Sequence, residues 1–528
     1  MKIKFLEKLK DNLIPKKYKI YIENIYIFFL GVLSSFGLPP YNFWIINFLT
    51  FSLLIIFLIK NKNNNPKLFL LYGFIFGFGY FVSSLYWIPI ALLHDQNFKV
   101  LIPFSLILIP AFLGLFYSIA FFVFKLYLKP EKVFVNILVF SLVLGFFDFI
   151  RGNIFSGFPW NLFAYAFSES IAFIQIVSLI GIYSFNTILI TIFSVPSILY
   201  LSRKKNELLG LLITITIAIL VYGYGVFKIN NFKNLKAEPL DAEIRILSTK
   251  IPIERFYSSI DNEGILFKLI ELSKPSKNED TIFIWPEGII PNTNLKLLKS
   301  EYDFLFTRFF SEKHKIILGI NDIELKREKK YFYNSLSIID SKANIIYKYH
   351  KNNLVPFGEF LPFEKILKKI GLKNLTNNYQ SYTASSERNI FKVSQNSKIS
   401  ILPLICYEII YSGKLSNKKN YNFIVNISED GWFGDSIGPY QHFAHSIFRS
   451  VEYGKYTFRS ANNGISAIID PTGLVVEKLD IKNEGIISIK ETVSVDKTFF
   501  STFENKIYFL IILLFIFLIF SFTKLKNE

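Results

Sequence analysis

The sequence predicts a multi-pass α-helical membrane domain joined to an α/β domain. Hydrophobic residues make up 51% and aromatic residues 18% of the 528 residues, which is more typical of a membrane protein than of a large soluble enzyme. Long apolar runs fill the first 230 residues and return near the end, whereas short apolar runs alternate with polar stretches in between. The length is sufficient for two or three domains.

Seven apolar runs precede residue 230, and most approach the roughly 20 residues that a helix needs to cross a bilayer. They cover residues 25–38, 43–59, 68–93, 100–124, 133–150, 171–201 and 208–227, and an eighth covers 507–522. We therefore predict an N-terminal membrane domain with seven transmembrane helices over 1–227. A last transmembrane helix and a tail are predicted over 507–528.

Basic residues flank these runs in a pattern that sets an orientation. They occur before the first run and in "KNKNNNPK" (60–67), "KLYLKPEK" (125–132), "SRKK" (202–205) and "TKLKNE" (523–528). Cytoplasmic flanks are the Lys/Arg-rich ones, so all five lie inside if every run crosses once. Both termini are then cytoplasmic and residues 228–506 lie outside. We expect no cleavable signal peptide, because the first run lacks a small-residue cleavage site.

The net charge of +18 raises the question of a nucleic-acid partner. Much of the lysine lies between apolar runs, where it orients membrane spans, and no nucleic-acid recognition motif occurs. We therefore expect no nucleic-acid binding.

Residues 228–506 predict a layered α/β domain, because strand-like and helix-like stretches alternate with consecutive strands. The strand-like runs are "EIRILST" (243–249), "TIFIWPE" (281–287), "KIILGI" (315–320), "YNSLSIID" (333–340), "ISILPLIC" (399–406) and "YNFIVNIS" (421–428). Helix-like stretches cover 263–273, 294–311 and 440–453.

Cys406 is the only cysteine, which excludes an intramolecular disulfide and a cysteine zinc site. It ends one strand-like run, as Glu287 ends another, and Lys351 follows a third. A carboxylate can take the proton of a thiol, and a lysine ammonium can stabilise the thiolate and the oxyanion of a tetrahedral intermediate. The three residue types therefore suffice for acyl transfer through a thioester.

Each of these residues also has an ordinary structural interpretation. Cys406 could be a buried small hydrophobe, Glu287 a carboxylate at a helix start and Lys351 a surface charge. His442 and His445 have helical spacing for a metal, but without a third ligand we favour a solvated or structural pair and no metal. The sequence Asn426-Ile427-Ser428 matches a glycosylation sequon, which is a weak pattern by itself.

Several local sequences in combination resemble the apolipoprotein N-acyltransferases of the nitrilase superfamily. They are "RGNIFSGFPWN" (151–161), "WPE" (285–287), "HKNNLVPFGEFLP" (350–362), "ICYE" (405–408), "DGWFGDSIGPYQH" (430–442) and "RSANNGISAIIDPTG" (459–473). The resemblance spans nearly the whole chain. It implies a four-layer α-β-β-α nitrilase-like catalytic domain over 228–506, facing the periplasm from the bacterial inner membrane.

The resemblance also implies roles for individual residues. Glu287 corresponds to the general base, Lys351 to the oxyanion-stabilising cation and Cys406 to the nucleophile. Supporting active-site positions correspond to Glu359, Tyr407 and Glu408.

The chain departs from the family pattern at two loops. Near the start of the α/β domain, members of the family often have a Lys-Trp pair after a proline. This chain has "IPIERFYS" (251–258) at that point, with Phe256 and Tyr257 as substitutes. Where Asn-Asp-Ala-Trp-Phe is common, this chain has Glu429-Asp430-Gly431-Trp432-Phe433.

The implied reaction has two steps and needs no cofactor. Cys406 takes an acyl chain from a phospholipid, and the α-amine of a diacylglyceryl-cysteine apolipoprotein then attacks the thioester. The expected partners are therefore the phospholipid donor, the apolipoprotein acceptor and the lipid bilayer, and the protein is expected to be a monomer.

The segment 360–375, "FLPFEKILKKIGLKNL", predicts a helix that lies at the membrane surface. Phe363, Ile366 and Ile370 recur at helical spacing, and lysines fall largely on the other face. The alternative is an ordinary amphipathic helix docked on the α/β core. Together with Phe256, Tyr257, Phe357 and Trp432, these apolar residues are the candidate contacts to substrate or membrane.

Two other functions fit parts of the sequence. A membrane-tethered amidase or nitrilase would use the same three residues with water as second nucleophile, but it has no need of eight spans. A transporter with a periplasmic binding domain would place ionisable groups inside the spans. Apart from Asp148 near one end, the spans contain almost none.

Overall fold

The computed structural model describes residues 16–257, 261–291, 293–367, 369, 381–393, 397–415 and 420–525. Its N-terminal half is helical. The helices are α1 (Lys16–Ser35), α2 (Ile46–Lys60), α3 (Pro66–Ser84), α4 (Ile102–Tyr127), α5 (Val133–Asn153), α6 (Ile171–Ile174), α7 (Val177–Ser194), α8 (Ser197–Leu201) and α9 (Lys205–Lys233).

Among the described residues, six helices are long and apolar enough to cross a membrane. They span Pro66–Ser84, Gln96–Tyr127, Val133–Asn153, Val177–Leu201, Lys205–Lys233 and Lys506–Lys524, and Ile46–Lys60 is a shorter apolar helix. The chain is therefore a multi-pass membrane protein, as its composition predicted. The count of seven N-terminal spans stays a prediction.

The sixth apolar run, predicted over 171–201, is divided into three helices. Gly181 has φ +72° inside α7, a conformation that glycine adopts at no steric cost, and Pro196 precedes α8. The next helix, α9, continues past the predicted domain boundary at 227/228 to Lys233.

The α/β domain contains two six-stranded sheets. The first consists of β1 (Glu238–Ser248), β2 (Thr281–Ile284), β3 (His314–Lys326), β4 (Lys329–Ile339), β5 (Ile345–His350) and β12 (Gly485–Thr492), in the order β12-β1-β2-β3-β4-β5. The second consists of β6 (Phe391–Lys392), β7 (Ser400–Ile405), β8 (Phe423–Glu429), β9 (Tyr456–Asn462), β10 (Ser466–Ile469) and β11 (Val475–Leu479), in the order β11-β10-β9-β8-β7-β6.

Helices α10 (Asn262–Ser273) and α11 (Leu295–Phe309) cover the outer face of the first sheet, and α13 (Gly438–Tyr453) packs on the outer face of the second, which confirms the four-layer α-β-β-α expectation. The other helices are α12 (Glu364–Leu367), α14 (Phe499–Phe503) and α15 (Lys506–Lys524), the last of which is one of the candidate membrane spans. Side chains alternate along β2, so that this strand contributes to the cores on both faces of its sheet. Ile282 and Ile284 join the core between the sheets, whereas Phe283 joins the core under α10 and α11.

One continuous hydrophobic core joins the membrane helices to the outer face of the second sheet. It includes Phe81 and Ile190 of the helical half together with Leu404 of β7 and Phe448 of α13. The α/β domain is therefore packed directly on the membrane helices.

Candidate functional site

The chain places three chemically active residues just after the ends of three strands. Glu287 follows β2, Lys351 directly follows β5, and Cys406 directly follows β7. Strand ends and the loops after them are where α/β proteins collect reactive groups. The structure thus brings together the three residues that the sequence singled out.

Lys351 is a buried cation held between two carboxylates. Its Nζ atom lies 3.0 Å from Glu359 Oε1 and 3.5 Å from Glu287 Oε1. Burial alone would lower the pKa of Lys351, but the charges of Glu359, Glu287 and Cys406 raise it above its ordinary value. The side chain is therefore a permanent ammonium in a region that excludes water. The surface-charge interpretation of Lys351 is wrong.

Asn334, on β4, connects the two carboxylates and was missed by sequence reasoning. Its Nδ2 atom donates to Glu287 Oε1 and to Glu359 Oε1, each at 2.7 Å. The second oxygen of Glu287 accepts the backbone N–H of Glu429 at 3.0 Å, and that of Glu359 accepts the N–H of Val355 at 2.8 Å. Both carboxylates are therefore held in fixed orientations.

Gly319 on β3 lets the backbone of Glu287 come close to the sheet. A Cβ atom at this position would lie 2.4 Å from Glu287 Cα and 2.9 Å from the carbonyl oxygen of Pro286. The N–H of Gly319 donates to that same oxygen at 3.1 Å. Only glycine permits this approach, which sets the position from which Glu287 extends.

Cys406 has a backbone conformation that is unusual for a non-glycine residue. Its φ is +48° at the point where β7 turns into a 3₁₀ helix, Cys406–Ile410. Such conformations cost on the order of 1–3 kcal/mol and cluster at functional sites. Asn426 and His442 donate side-chain hydrogen bonds of 3.4 and 3.3 Å to its carbonyl oxygen, which stabilise the turn.

Glu408 ties this turn to the loop that carries Lys351. Its Oε2 atom accepts the N–H of Ile405 at 2.9 Å, immediately before the cysteine. Its Oε1 atom accepts four donors near Lys351, namely Tyr349 Oη, the N–H groups of Asn352 and Asn353, and Arg388 Nη2, at 2.7 to 3.2 Å. Because one carboxylate holds both segments, Cys406 and Lys351 keep a constant relative position.

Cys406 is 8% exposed, and its environment favours the protonated thiol. Burial raises its pKa well above the ordinary value, the charge of Glu287 raises it further, and Lys351 opposes the rise. A resting thiol of this kind needs a base to remove its proton as it attacks. Glu287 lies close enough to Cys406 for its charge to raise the pKa of the thiol, which makes this carboxylate the candidate base.

A buried polar cluster lies behind the turn at Cys406. The guanidinium of Arg459 donates to Asp430 Oδ2 at 2.7 Å, and His442 Nδ1 lies 3.0 Å from Asp430 Oδ1. Burial and the neighbouring Arg459 lower the pKa of His442, so its imidazole is neutral. The side chains of His442 and His445 are both fully buried, so the interpretation of the two as a solvated pair is wrong.

Asn426 of the sequon is also fully buried, and the side chain of Arg459 donates to its oxygen. This position offers no surface for glycosylation, so the sequon is fortuitous.

Tyr407 connects the turn at Cys406 to the membrane half. Its hydroxyl donates to the carbonyl oxygen of Gly157 at 3.1 Å, and Tyr411 Oη donates to that of Ser156 at 2.7 Å. Both acceptors lie in the loop after α5. This turn therefore rests on backbone supplied by the membrane half.

The aromatic candidates from the two divergent loops form one cluster. The ring of Trp432 lies 5.3 Å from that of Phe256 and 6.4 Å from that of Tyr257, measured between centroids. His94, from the helical half, lies 6.0 Å from Trp432 on the same measure. The substitutes predicted at positions 256 and 257 thus meet the second divergent loop directly.

The candidates on the loop after Lys351 are exposed. Phe357 is 51% and Phe363 76% exposed, with φ values of +64° and +51°. Of the predicted helix over 360–375, the structure describes residues 360–367 and 369, within which Glu364–Leu367 form α12. The side chain of Ile366 and all of Ile370 lie outside the described residues, so the membrane-surface helix stays a prediction.

Comparison with known proteins places this geometry in a family. A model for the apolipoprotein N-acyltransferase N-terminal domain matches residues 30–195, and a carbon-nitrogen hydrolase model matches 255–494. An apolipoprotein N-acyltransferase of Rickettsia bellii is 35% identical over 506 residues, which are 95% of this chain and 97% of the relative. The chain belongs to the apolipoprotein N-acyltransferase family.

Further relatives are similar over the same length. An apolipoprotein N-acyltransferase of Rhodopseudomonas palustris is 30% identical over 482 residues, which are 87% of each chain. Among solved structures, a nitrilase-superfamily member from Saccharomyces cerevisiae covers 48% of this chain and 91% of its own, at 15% identity and a TM-score of 0.34. The family match confirms the predicted resemblance and identifies the α/β domain as that of a carbon-nitrogen hydrolase superfamily enzyme.

Proposed function

We propose that the protein transfers a fatty acyl chain from a phospholipid to the N-terminal amine of diacylglyceryl-cysteine apolipoproteins, through a thioester on Cys406. The observation that carries the proposal is the buried Lys351 ammonium between Glu287 and Glu359, beside the only thiol of the chain. Membership of the family supports the acceptor.

In the first step, Glu287 takes the proton of the Cys406 thiol as the sulfur attacks the ester carbonyl of the phospholipid. The ammonium of Lys351 stabilises the negative charge that develops on the carbonyl oxygen, and such stabilisation is worth on the order of 100- to 1,000-fold in rate. The intermediate collapses to the thioester. The lysophospholipid leaves with the proton that Glu287 held.

In the second step, the free α-amine of the acceptor attacks the thioester carbonyl. Glu287 takes a proton from the amine, Lys351 again stabilises the oxyanion, and the sulfur leaves as the amide forms. The proton on Glu287 returns to the Cys406 sulfur. The cycle is therefore ping-pong, and it consumes one phospholipid ester for each amide.

We further propose that residues 1–227 and 507–528 anchor the protein in the bacterial inner membrane. Both termini then face the cytoplasm, and the catalytic domain 228–506 faces the periplasm. Both proposed substrates are embedded in that membrane. Packing of the catalytic half against the membrane helices suits this arrangement, because a site on a membrane-bound scaffold meets such substrates directly.

The test is intact-mass analysis of the full chain in phospholipid vesicles. We expect an added acyl mass that is absent in Cys406→Ala and that disappears when a diacylglyceryl-cysteine peptide is added, with the amide recovered on the peptide. Loss of the acyl mass to water at the same rate without acceptor would identify a hydrolase instead. No acyl mass on the wild-type chain would refute the thioester.

A further inference from the structure

A fully buried ion pair lies beside the proposed general base. The guanidinium of Arg255 pairs with the carboxylate of Glu429, and their side chains are 0% and 1% exposed. Both residues belong to the two loops at which the sequence departs from the family pattern. A buried pair contributes little net stability by itself but holds its partners in defined geometry.

Arg255 binds the chain on one side of Glu287. Its Nη2 and Nε atoms donate to the carbonyl oxygen of Gly288, the next residue, at 3.1 and 3.3 Å. Its Nη1 atom donates to the carbonyl oxygens of Ile251 and Pro252 at 3.3 and 3.0 Å. The guanidinium is therefore immobilised by backbone acceptors around it.

Glu429 binds the carboxylate of Glu287 on the other side. Its backbone N–H donates to Glu287 Oε2 at 3.0 Å, while its side chain accepts Asn462 Nδ2 at 2.6 Å and the N–H of Gly431 at 2.8 Å. The residue whose side chain pairs with Arg255 thus supplies the hydrogen bond that orients one Glu287 oxygen.

We propose that Arg255 is a positioning residue for the reaction. It holds Glu287 from both sides, through the carbonyl of Gly288 and through Glu429, so that the carboxylate stays in the orientation for proton transfer. The inference rests on the proposed function, in which Glu287 is the general base. It adds a residue that contacts neither the thiol nor Lys351.

The test is a double-mutant cycle between Arg255→Lys and Glu287→Gln. Lysine keeps the positive charge beside Glu429 but loses the planar fork that reaches Gly288 and Glu429 together. The readout is the rate at which Cys406 gains an acyl mass from a water-soluble p-nitrophenyl ester. Arg255→Lys should slow the wild-type background about 10- to 100-fold, mainly in the maximum rate, because small misplacements of a catalytic group are costly.

In the Glu287→Gln background, the same change should slow loading by less than about 3-fold, because residues that act as a unit are non-additive. Equal slowing in both backgrounds would mean a merely structural role and would overturn the inference. So would a wild-type loading rate in Arg255→Lys.

The matched control is Arg245→Lys on β1. Arg245 pairs with Glu243 and Glu279 at 2.8 and 3.1 Å, away from Glu287. The Arg245→Lys change should slow loading in neither background, and slowing by it equal to that by Arg255→Lys would also overturn the inference.

Failure of the proposed function gives different results. A wild-type chain that loads the ester but never acylates an acceptor refutes the proposed transfer, and the double-mutant cycle can still be measured. A wild-type chain that never loads refutes the thioester mechanism itself.

Discussion

The Nζ atom of Lys351 lies 3.0 Å from the Oε1 atom of Glu359, and both side chains are buried. Glu359 lies on the loop that follows Lys351, and its second oxygen is held by the N–H of Val355. Since Lys351 also faces Glu287 at 3.5 Å, Glu359 keeps the ammonium from pairing with Glu287 alone. In the proposed mechanism, this relationship leaves Glu287 available for proton transfer.

Glu359→Gln should therefore slow acyl loading of Cys406 about 100-fold, because the ammonium moves toward Glu287 and both groups leave their working positions. The loss of stability should stay below the roughly 3–5 kcal/mol typical of a stranded buried charge, because Glu287 still faces Lys351. Loading rates by intact mass and urea unfolding measure the two effects. Glu324→Gln is the control, since Glu324 on β3 likewise pairs with a lysine, Lys348 on β5, at 2.7 Å. Equal loading in both variants would remove Glu359 from the mechanism.

Glu287 and Cys406 were predictable because each follows an apolar run that forms one strand, and Lys351 because it follows the strand-like "IIYKYH" (345–350). Asn334 was not, since it lies inside a strand-like run and only the sheet brings it between two carboxylates from distant loops. Arg255 was passed over for the same reason, because its partner is far along the chain. The break at Gly181 was hidden by the apolar residues around it. Contacts between distant segments, rather than local patterns, decide these features.

Gly319→Ala tests the close approach beneath Glu287. The added Cβ would lie 2.4 Å from Glu287 Cα and 2.8 Å from Gly288 N. Both are backbone atoms, so rotation of a side chain cannot relieve the clash and the backbone itself must shift. We expect loading to fall about 100-fold through displacement of Glu287 and stability to fall by about 1–3 kcal/mol through overpacking. Gly223→Ala in α9 is the matched control, because nothing lies within 4 Å of its Cβ position. Normal loading by Gly319→Ala would show that Glu287 tolerates the shift.

The pH dependence of Cys406 alkylation tests the protonated resting thiol. Because burial and Glu287 hold the pKa of Cys406 well above its ordinary value, the thiolate fraction should keep rising about tenfold per pH unit beyond pH 8.5. The measurement is the rate of iodoacetamide labelling by intact mass between pH 7 and about 10, over the range in which the protein stays folded. Cys406→Ala gives the background, since no other thiol exists. A plateau at or below about pH 8 would instead indicate a thiolate paired with Lys351 in the resting state.

Phe357 and Phe363 test whether the loop after Lys351 guides lipid to the site. If the site takes its acyl chain from membrane lipid as proposed, large exposed apolar side chains beside it are suited to enter the membrane interface. The double change Phe357→Ser and Phe363→Ser should slow loading from bilayer phospholipid at least about tenfold, because each buried aromatic side chain contributes roughly 1.5–3 kcal/mol to such contact. Loading from a water-soluble p-nitrophenyl ester should change little, since that donor needs no docking on the membrane.

Leu325→Ser is the matched control, because Leu325 is 68% exposed on β3 and its replacement should alter neither loading rate. The ratio of the two loading rates decides the matter. Misfolding would lower both rates together, and an unchanged ratio would mean that acyl chains reach Cys406 by another route.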